Sequence, residues 1–330
     1  MVDARRPVCL VQVLLDETAA REGGDTLANN RRSNGAQFWT VILAAGAGRR
    51  LAGVTGGVPK QFWRANGRKS LLESTTDRMA PLAPPSRTVI VVDRTHRDHV
   101  TNTMDPARMG EVLFQPEDRG TGAGVLLALM PVLAADPNAI VTITPADHGV
   151  LDESEFRRGL LQATRHVRAN GGLVLFGVEP SEPRADFGWI TPGARTASPG
   201  FHPITSFVEK PAAAIAERLF ATGAVWNTMV VVARASAVRA LYSEFLPDLA
   251  LVFDAARRFE EPERGMFLTA SYPQLPRCDF SRDILTPARN LSTYVWPASV
   301  GWSDLGTPDR LEEWLRRRAV AHHRAAMSAA

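Results

Sequence analysis

The stretch from Thr40 to Phe62, TVILAAGAGRRLAGVTGGVPKQF, constrains the fold more than any other part of the chain. An apolar run, Val41 to Ala44, opens into a loop holding Gly46, Gly48, Gly53, Gly56 and Gly57, with Arg49, Arg50 and Lys60 set among the glycines. A glycine lets backbone amides approach phosphate oxygens that a Cβ would keep away, and guanidinium and ammonium groups add charge-assisted hydrogen bonds. A buried strand entering such a loop is a way of holding a phosphate-rich ligand. Glycine-rich turns after a first strand are also common in α/β proteins, so the glycines alone leave an ordinary turn open. The pattern is neither a Walker A loop nor the dinucleotide fingerprint. The third glycine of that fingerprint is missing, and Asp93, the one candidate acid after a second strand, comes too late.

Downstream, strands are expected at Thr88 to Val92, Val112 to Phe114, Ala139 to Thr144 and Gly172 to Val178. Helices are expected at Ser70 to Met79, from His96, at Thr121 to Leu133 and at Ser154 to Arg168. That alternation predicts a parallel, three-layer α/β sheet with its ligand at the carboxyl ends of the strands. Between Glu179 and Pro211 proline and glycine accumulate around short β-like pieces, Phe187 to Thr191 and Ile204 to Glu209. This suits an antiparallel excursion that covers a substrate. Helices at Ala212 to Thr222 and Ala235 to Phe245 flank a strand at Ala224 to Val232, and a last strand, Tyr294 to Pro297, runs into GWSDLG before a helix from Pro308.

The chain has 330 residues, 45% of them hydrophobic, enough for one large core or two modest ones. Its net charge of +3, from 38 basic and 35 acidic side chains, gives no warrant for a nucleic-acid partner. The locally basic WLRRRAVAHHR reads as a solvated helix face. Cys9 and Cys278 are far apart, so a disulfide framework is not expected and a reducing, cytoplasmic compartment is. No apolar run reaches transmembrane length, so no membrane partner is expected. Arg5 and Arg6 before Val8 to Leu15 imitate a signal peptide, but Asp16 and Glu17 follow at once. Residues 1–37 are therefore read as a mobile extension, or a misassigned start, in front of a catalytic domain over 38–330.

The glycine-rich segment resembles the signature of the sugar nucleotidyltransferases, an LAxGxGxRL run followed ten residues after its arginine by the lysine of PKQF. Arg50 and Lys60 stand at that spacing. The PKQF ending and SLLExTxxR at Ser70 to Arg78 resemble the mannose-1-phosphate guanylyltransferase branch, with Arg49 and Gly53 departing from it. QPEDRGTGAG after Phe114 resembles that family's QPxNRGTAPG, with Asp118 in place of asparagine; PADH at Pro145 to His148 resembles PSDH. FGWI, FVEKP, VWNT and GWSDLG resemble YGYI, FVEKP, WNSG and WSDxG, so that Thr228 and Met229 replace the last two residues of WNSG.

The resemblance implies a Rossmann-like three-layer nucleotide-diphospho-sugar transferase fold with a mixed, mostly parallel sheet. It implies that Ala44, Ala45, Gly46, Gly48, Gln115, Arg119, Gly120 and Thr121 surround a nucleotide, and that Gly188, Glu209, Lys210 and Asn227 hold a sugar phosphate. Arg50 and Lys60 would be catalytic, and Asp147 with Asp304 would hold Mg²⁺. Read alone, Asp147 equally suits a cap on the following turn, and the Asp118 loop an ordinary strand-to-helix turn. The Glu209–Lys210 pair inside a β-like apolar run is costly unless it faces a polar ligand. The implied activity is transfer from an NTP, GTP first, to a hexose 1-phosphate, mannose 1-phosphate first, by an enzyme that forms homo-oligomers by default. The rivals are another NTP and hexose pair, or a non-catalytic nucleotide-sugar sensor. An isomerase domain such as bifunctional relatives carry is not expected.

Overall fold

A strand made almost wholly of apolar and β-branched residues is stable when both of its faces are covered. FWTVILA is such a strand: β1, Phe38–Ala44, is buried at six of its seven positions. The computed structural model, which describes residues 37–64, 69–196 and 198–329, sets β1 inside a nine-stranded sheet. β2 (Thr88–Asp93) pairs parallel with β1, and β3 (Glu111–Gln115) parallel with β2. β4 (Ile140–Pro145) lies parallel on the other side of β1, in the register Thr40 to Thr142. Parallel neighbours need crossovers, supplied by α1 (Leu71–Met79), α2 (Arg97–Thr103) and α3 (Thr121–Ala135). Ser70 starts α1 through a capping box: its hydroxyl accepts from Glu73 N at 3.1 Å, and its own N–H donates to Glu73 Oε2 at 2.7 Å. All of these elements fall within a few residues of the places the sequence marks.

After α4 (Glu153–Asn170) comes β5 (Leu173–Val178), and from there antiparallel pairing takes over. β6 (Gly188–Pro192) and β7 (Phe201–Glu209) form a hairpin, α5 (Ala213–Ala221) follows, and β8 (Val225–Arg234) runs antiparallel between β4 and β5. β9 (Leu291–Trp296) is parallel to β5 and antiparallel to β7. The strand order is β3-β2-β1-β4-β8-β5-β9-β7-β6, and β6 also pairs with the first residues of β8. The expected antiparallel excursion over Glu179 to Pro211 supplies β6 and β7. Its strands belong to the main sheet, and the antiparallel share is larger than the sequence suggests because β8 is wedged between two parallel sets.

Between β8 and β9 stand α6 (Ala235–Phe245), α7 (Pro247–Ala256), α8 (Glu263–Ser271) and a π-helical turn, Phe280–Leu285. The last three lie where the sequence shows no element. Pro247 looks like a breaker after α6, yet it occupies the first turn of α7, where a missing N–H costs nothing. α3 is apolar all round and is covered by the sheet on one side and by Tyr242, Leu249 and Phe253 on the other. α9 (Pro308–Ala329) closes the chain by packing Leu311 and Trp314 against Leu51 of the glycine-rich loop and Leu71 of α1. No helix among the described residues is long and apolar enough to cross a membrane. The expected N-terminal extension lies outside the described residues except for Gln37.

Candidate active site

The carboxyl ends of β1 to β4 and the loops after them enclose a cavity of about 250 Å³. Its walls include Ala44, Ala45 and Gly46 after β1, Gln115 at the end of β3, Gly120 and Thr121 at the start of α3, and Asp147 after β4. The loop is shaped by a residue that the motif contains but that the sequence reading gives no role. Gln61 is buried, and its amide donates to the carbonyls of Ala44 at 2.7 Å and Gly46 at 2.9 Å. Those two bonds fix the main chain where phosphate would approach. Gly48 has φ 62°, and a Cβ there would stand 2.7 Å from Lys60 N, so only glycine lets the loop close on the lysine. Arg50 is exposed, with its guanidinium 3.7 Å from Asp186 Oδ2.

On the α3 side, Gly120 has φ 85°, and a Cβ would meet the Cys278 carbonyl at 2.2 Å. Gly122 N donates to that carbonyl at 3.0 Å, and Phe280 N donates to Thr121 Oγ1 at 2.8 Å. The unforeseen segment after α8 is thus the buttress of the α3 start. Asp118, which stands in place of the related motif's asparagine, organises the loop: Oδ1 accepts Gly120 N–H at 2.9 Å and Oδ2 accepts from Arg277 at 2.7 Å. Arg119 is engaged within the loop. Its guanidinium pairs with Glu117 at 2.9 Å and donates to the Pro273 carbonyl, and its neighbours Gly120 and Thr121, not Arg119, line the cavity. The sequence alone cannot orient a side chain whose partner, Pro273, belongs to a segment it leaves unassigned.

Lys60 joins the two acidic motifs. Its side chain is 7% exposed, and Nζ lies 3.1 Å from Asp147 Oδ2 while also donating to the main-chain carbonyl of Asp304. Burial pushes the Asp147 carboxyl up, but the charges of Lys60 and His148 and the Lys60 hydrogen bond outweigh it and hold the group below 3.8. Burial lowers His148 to about 4, so the ring is neutral at physiological pH, and Trp302 Nε1 donates to its Nδ1 at 3.3 Å. The Asp304 carboxylate is turned to Arg310, whose Nε lies 3.0 Å from Oδ1. Arg310 also reaches Asp186 at 3.0 Å and lies over the Phe187 ring, tying α9 to the start of β6. Of the two carboxylates expected to hold a metal, that of Asp147 therefore faces the Lys60 ammonium and that of Asp304 faces the Arg310 guanidinium, while the Asp304 main-chain carbonyl completes the contact with Lys60. Asp304 Oδ1 is buried yet makes no well-aligned hydrogen bond, and two hard oxygen donors beside a phosphate loop fit a divalent cation.

Gly188, Glu209 and Asn227, expected to hold a sugar phosphate, come together across β6, β7 and β8. A Cβ on Gly188 would meet Glu209 Oε2 at 2.6 Å and Asn227 Cβ at 3.3 Å. Burial raises the Glu209 pKa against the pull of Lys210, whose Nζ is 3.2 Å from Oε1. Lys210 itself is exposed and holds φ 46° at the strand end. Asn227 is buried and accepts Met229 N–H at 3.1 Å, which links this cluster to the cavity under the glycine-rich loop that Met229 lines. Asp186 and Arg310, which connect Arg50 to Asp304, carry no spacing signal that would single them out in the sequence.

A cavity under a glycine-rich loop, at the carboxyl ends of a Rossmann-like sheet, is where proteins of this architecture hold a nucleotide. Residues 39–318 match the nucleotidyl transferase family, and the chain belongs to it. The xanthan biosynthesis protein XanB of Xanthomonas campestris pv. campestris (strain B100) is 28% identical over 277 residues, 81% of this chain and 57% of that protein. Mannose-1-phosphate guanylyltransferase RfbM of Salmonella typhimurium is 29% identical over 82% of this chain and 57% of its own length. The chain therefore spans 57% of the length of these two relatives. A solved structure described as a mannose-1-phosphate geranyltransferase from Thermus thermophilus superposes with a TM-score of 0.74 at 27% identity, over 84% of this chain and 79% of that one. Small-molecule substrates fit this family, which generally uses a divalent metal.

Proposed function

We propose that the chain joins GTP to mannose 1-phosphate, releasing pyrophosphate and GDP-mannose. The observation that carries this reading is Lys60, whose buried ammonium draws the Asp147 and Asp304 loops together under the glycine-rich loop. An oxygen of the sugar phosphate attacks the α-phosphorus; that P–O bond forms as the bond from the α-phosphorus to the bridging oxygen of the leaving pyrophosphate breaks. A phosphate monoester is already an anionic nucleophile, so positioning and charge neutralisation supply the catalysis. Lys60 would exchange its Asp147 contact for the α-phosphate, and the exposed Arg50 would leave Asp186 for the departing pyrophosphate. Glu209 would accept sugar hydroxyls, and Lys210 would meet the sugar phosphate. Asp147 and Asp304 would hold Mg²⁺, which supplies Lewis-acid neutralisation of the phosphate oxygens. The work would be done in the cytoplasm, and a homo-oligomer is the expected assembly.

One observation favours a second reading, another NTP and hexose pair: Met229 projects into the nucleotide cavity where the related motif ends in glycine. The test is Mg²⁺-dependent pyrophosphate release from a matrix of GTP, ATP, UTP, CTP and dTTP against mannose, glucose and related hexose 1-phosphates, with Asp304→Asn as control. A GTP and mannose 1-phosphate maximum, lost in the control, is expected. A maximum elsewhere moves the specificity, and no release from any pair with nucleotide binding intact overturns the enzyme reading.

A further inference from the structure

Met229 stands in a backbone conformation that its residue type disfavours. Its φ is 61°, the left-handed region in which a Cβ is crowded by the following carbonyl. Such a residue persists where its surroundings over-determine it, and such residues gather at ligand sites. Three contacts hold this one. Asn227 Oδ1 accepts the Met229 N–H at 3.1 Å. Thr228 Oγ1 donates to the Phe176 carbonyl at 2.7 Å and accepts Val230 N–H at 3.3 Å, closing the gap where the β8–β5 ladder slips between Leu175 and Gly177. Ser281, buried in the π-helical turn, donates its hydroxyl to the Met229 sulfur at 3.3 Å.

The side chain so fixed lines the nucleotide cavity together with Gln115, Gly120, Thr121, Gly124, Pro145 and Asp147. Asn227, two residues earlier on the same irregular stretch, belongs to the cluster with Gly188 and Glu209. Met229 therefore connects the cavity that would take the base to the cluster that would take the hexose. Between base and hexose a nucleotide sugar carries its ribose and two phosphates; the phosphates suit the glycine-rich loop of Ala44 to Gly46, which leaves the ribose to the apolar Met229 side chain. A methionine free to turn would yield to a bulky group; one whose sulfur is hydrogen-bonded to a buried hydroxyl presents a fixed apolar surface.

We propose that Met229 is a specificity-determining residue whose thioether side chain forms a wall against the ribose of the bound nucleotide and rejects riboses that carry a bulky substituent. The proposal rests on the nucleotidyl-transfer reading and deepens it. It is tested by equilibrium binding of GTP, 2′-O-methyl-GTP and 3′-O-methyl-GTP to the full chain, with turnover measured in parallel. The wild type should prefer GTP over the O-methyl nucleotides by about tenfold or more, the scale of a group that a fitted pocket refuses. Met229→Gly suits the left-handed backbone and should remove most of that preference, whereas Met229→Leu, which keeps the volume, should retain it. An unchanged preference in folded Met229→Gly overturns the proposal, and Met229→Ala is read by the same criterion should the glycine variant not fold. Loss of turnover with every sugar phosphate, with the binding ratios as expected, counts against the proposed reaction and not against Met229. Absence of nucleotide binding by the wild type overturns both.

Discussion

Replacing Lys60 by methionine keeps the apolar stem of the side chain and removes the ammonium that the site is built around. In the native site that group lies 3.1 Å from Asp147 Oδ2, and its side chain is 7% exposed. At an effective dielectric constant of about 20, unit charges 3.1 Å apart attract by about 5 kcal/mol before desolvation is counted. Removing one partner of a fully buried pair costs about 3–5 kcal/mol. The Asp147 side chain keeps 31% exposure, so water recovers part of the loss and about 1–3 kcal/mol is expected. At about 2–4 °C per kcal/mol, the thermal midpoint should fall by several degrees. The pH dependence has a defined sign. Asp147 is held below 3.8 in the folded state, so its contribution is complete above that value and is lost as pH falls through the lower folded pKa. The difference between wild type and variant should therefore be largest near neutral pH and shrink below 3.8. Denaturant unfolding at neutral pH and at about pH 3 reads this difference, and pyrophosphate release should drop by about 10²–10³-fold in kcat. Near-normal turnover, or a stability loss of the same size at acid pH, would refute the reasoning.

Three further outcomes are expected. Burial raises the Glu209 pKa, so the KM for the sugar phosphate should begin to climb, as pH is lowered, at a higher pH than an ordinary glutamate of 4.5 would give; Glu209→Gln should abolish that dependence in a pH–KM profile. Arg119→Ala should leave the KM for the nucleotide nearly unchanged while lowering the unfolding midpoint, because the guanidinium ties Glu117 and the Pro273 carbonyl rather than facing the cavity. Ser70→Ala removes the side-chain half of a capping box and should cost about 1 kcal/mol in denaturant unfolding without altering kcat, since Ser70 lies outside the cavity lining.

The sequence by itself determined the strand into the glycine-rich loop, the alternation that builds β1 to β4, the helix that starts at Ser70 and the motifs that lie after the strands. These are local matters: an apolar run, a helical spacing, a glycine where only glycine fits. Several features were decided by tertiary structure alone. β8 enters antiparallel between two parallel sets because residues far apart in the chain pair there, and no local pattern encodes that insertion. The Arg119 guanidinium lies against a carbonyl from a distant segment, which accepts its hydrogen bond, and the Asp304 carboxylate faces Arg310 because α9 docks on Leu51 and Leu71. Residue type says which groups can bind phosphate, sugar or metal. Which way a long charged side chain points depends on the acceptor nearest to it, and only the packed chain supplies that acceptor.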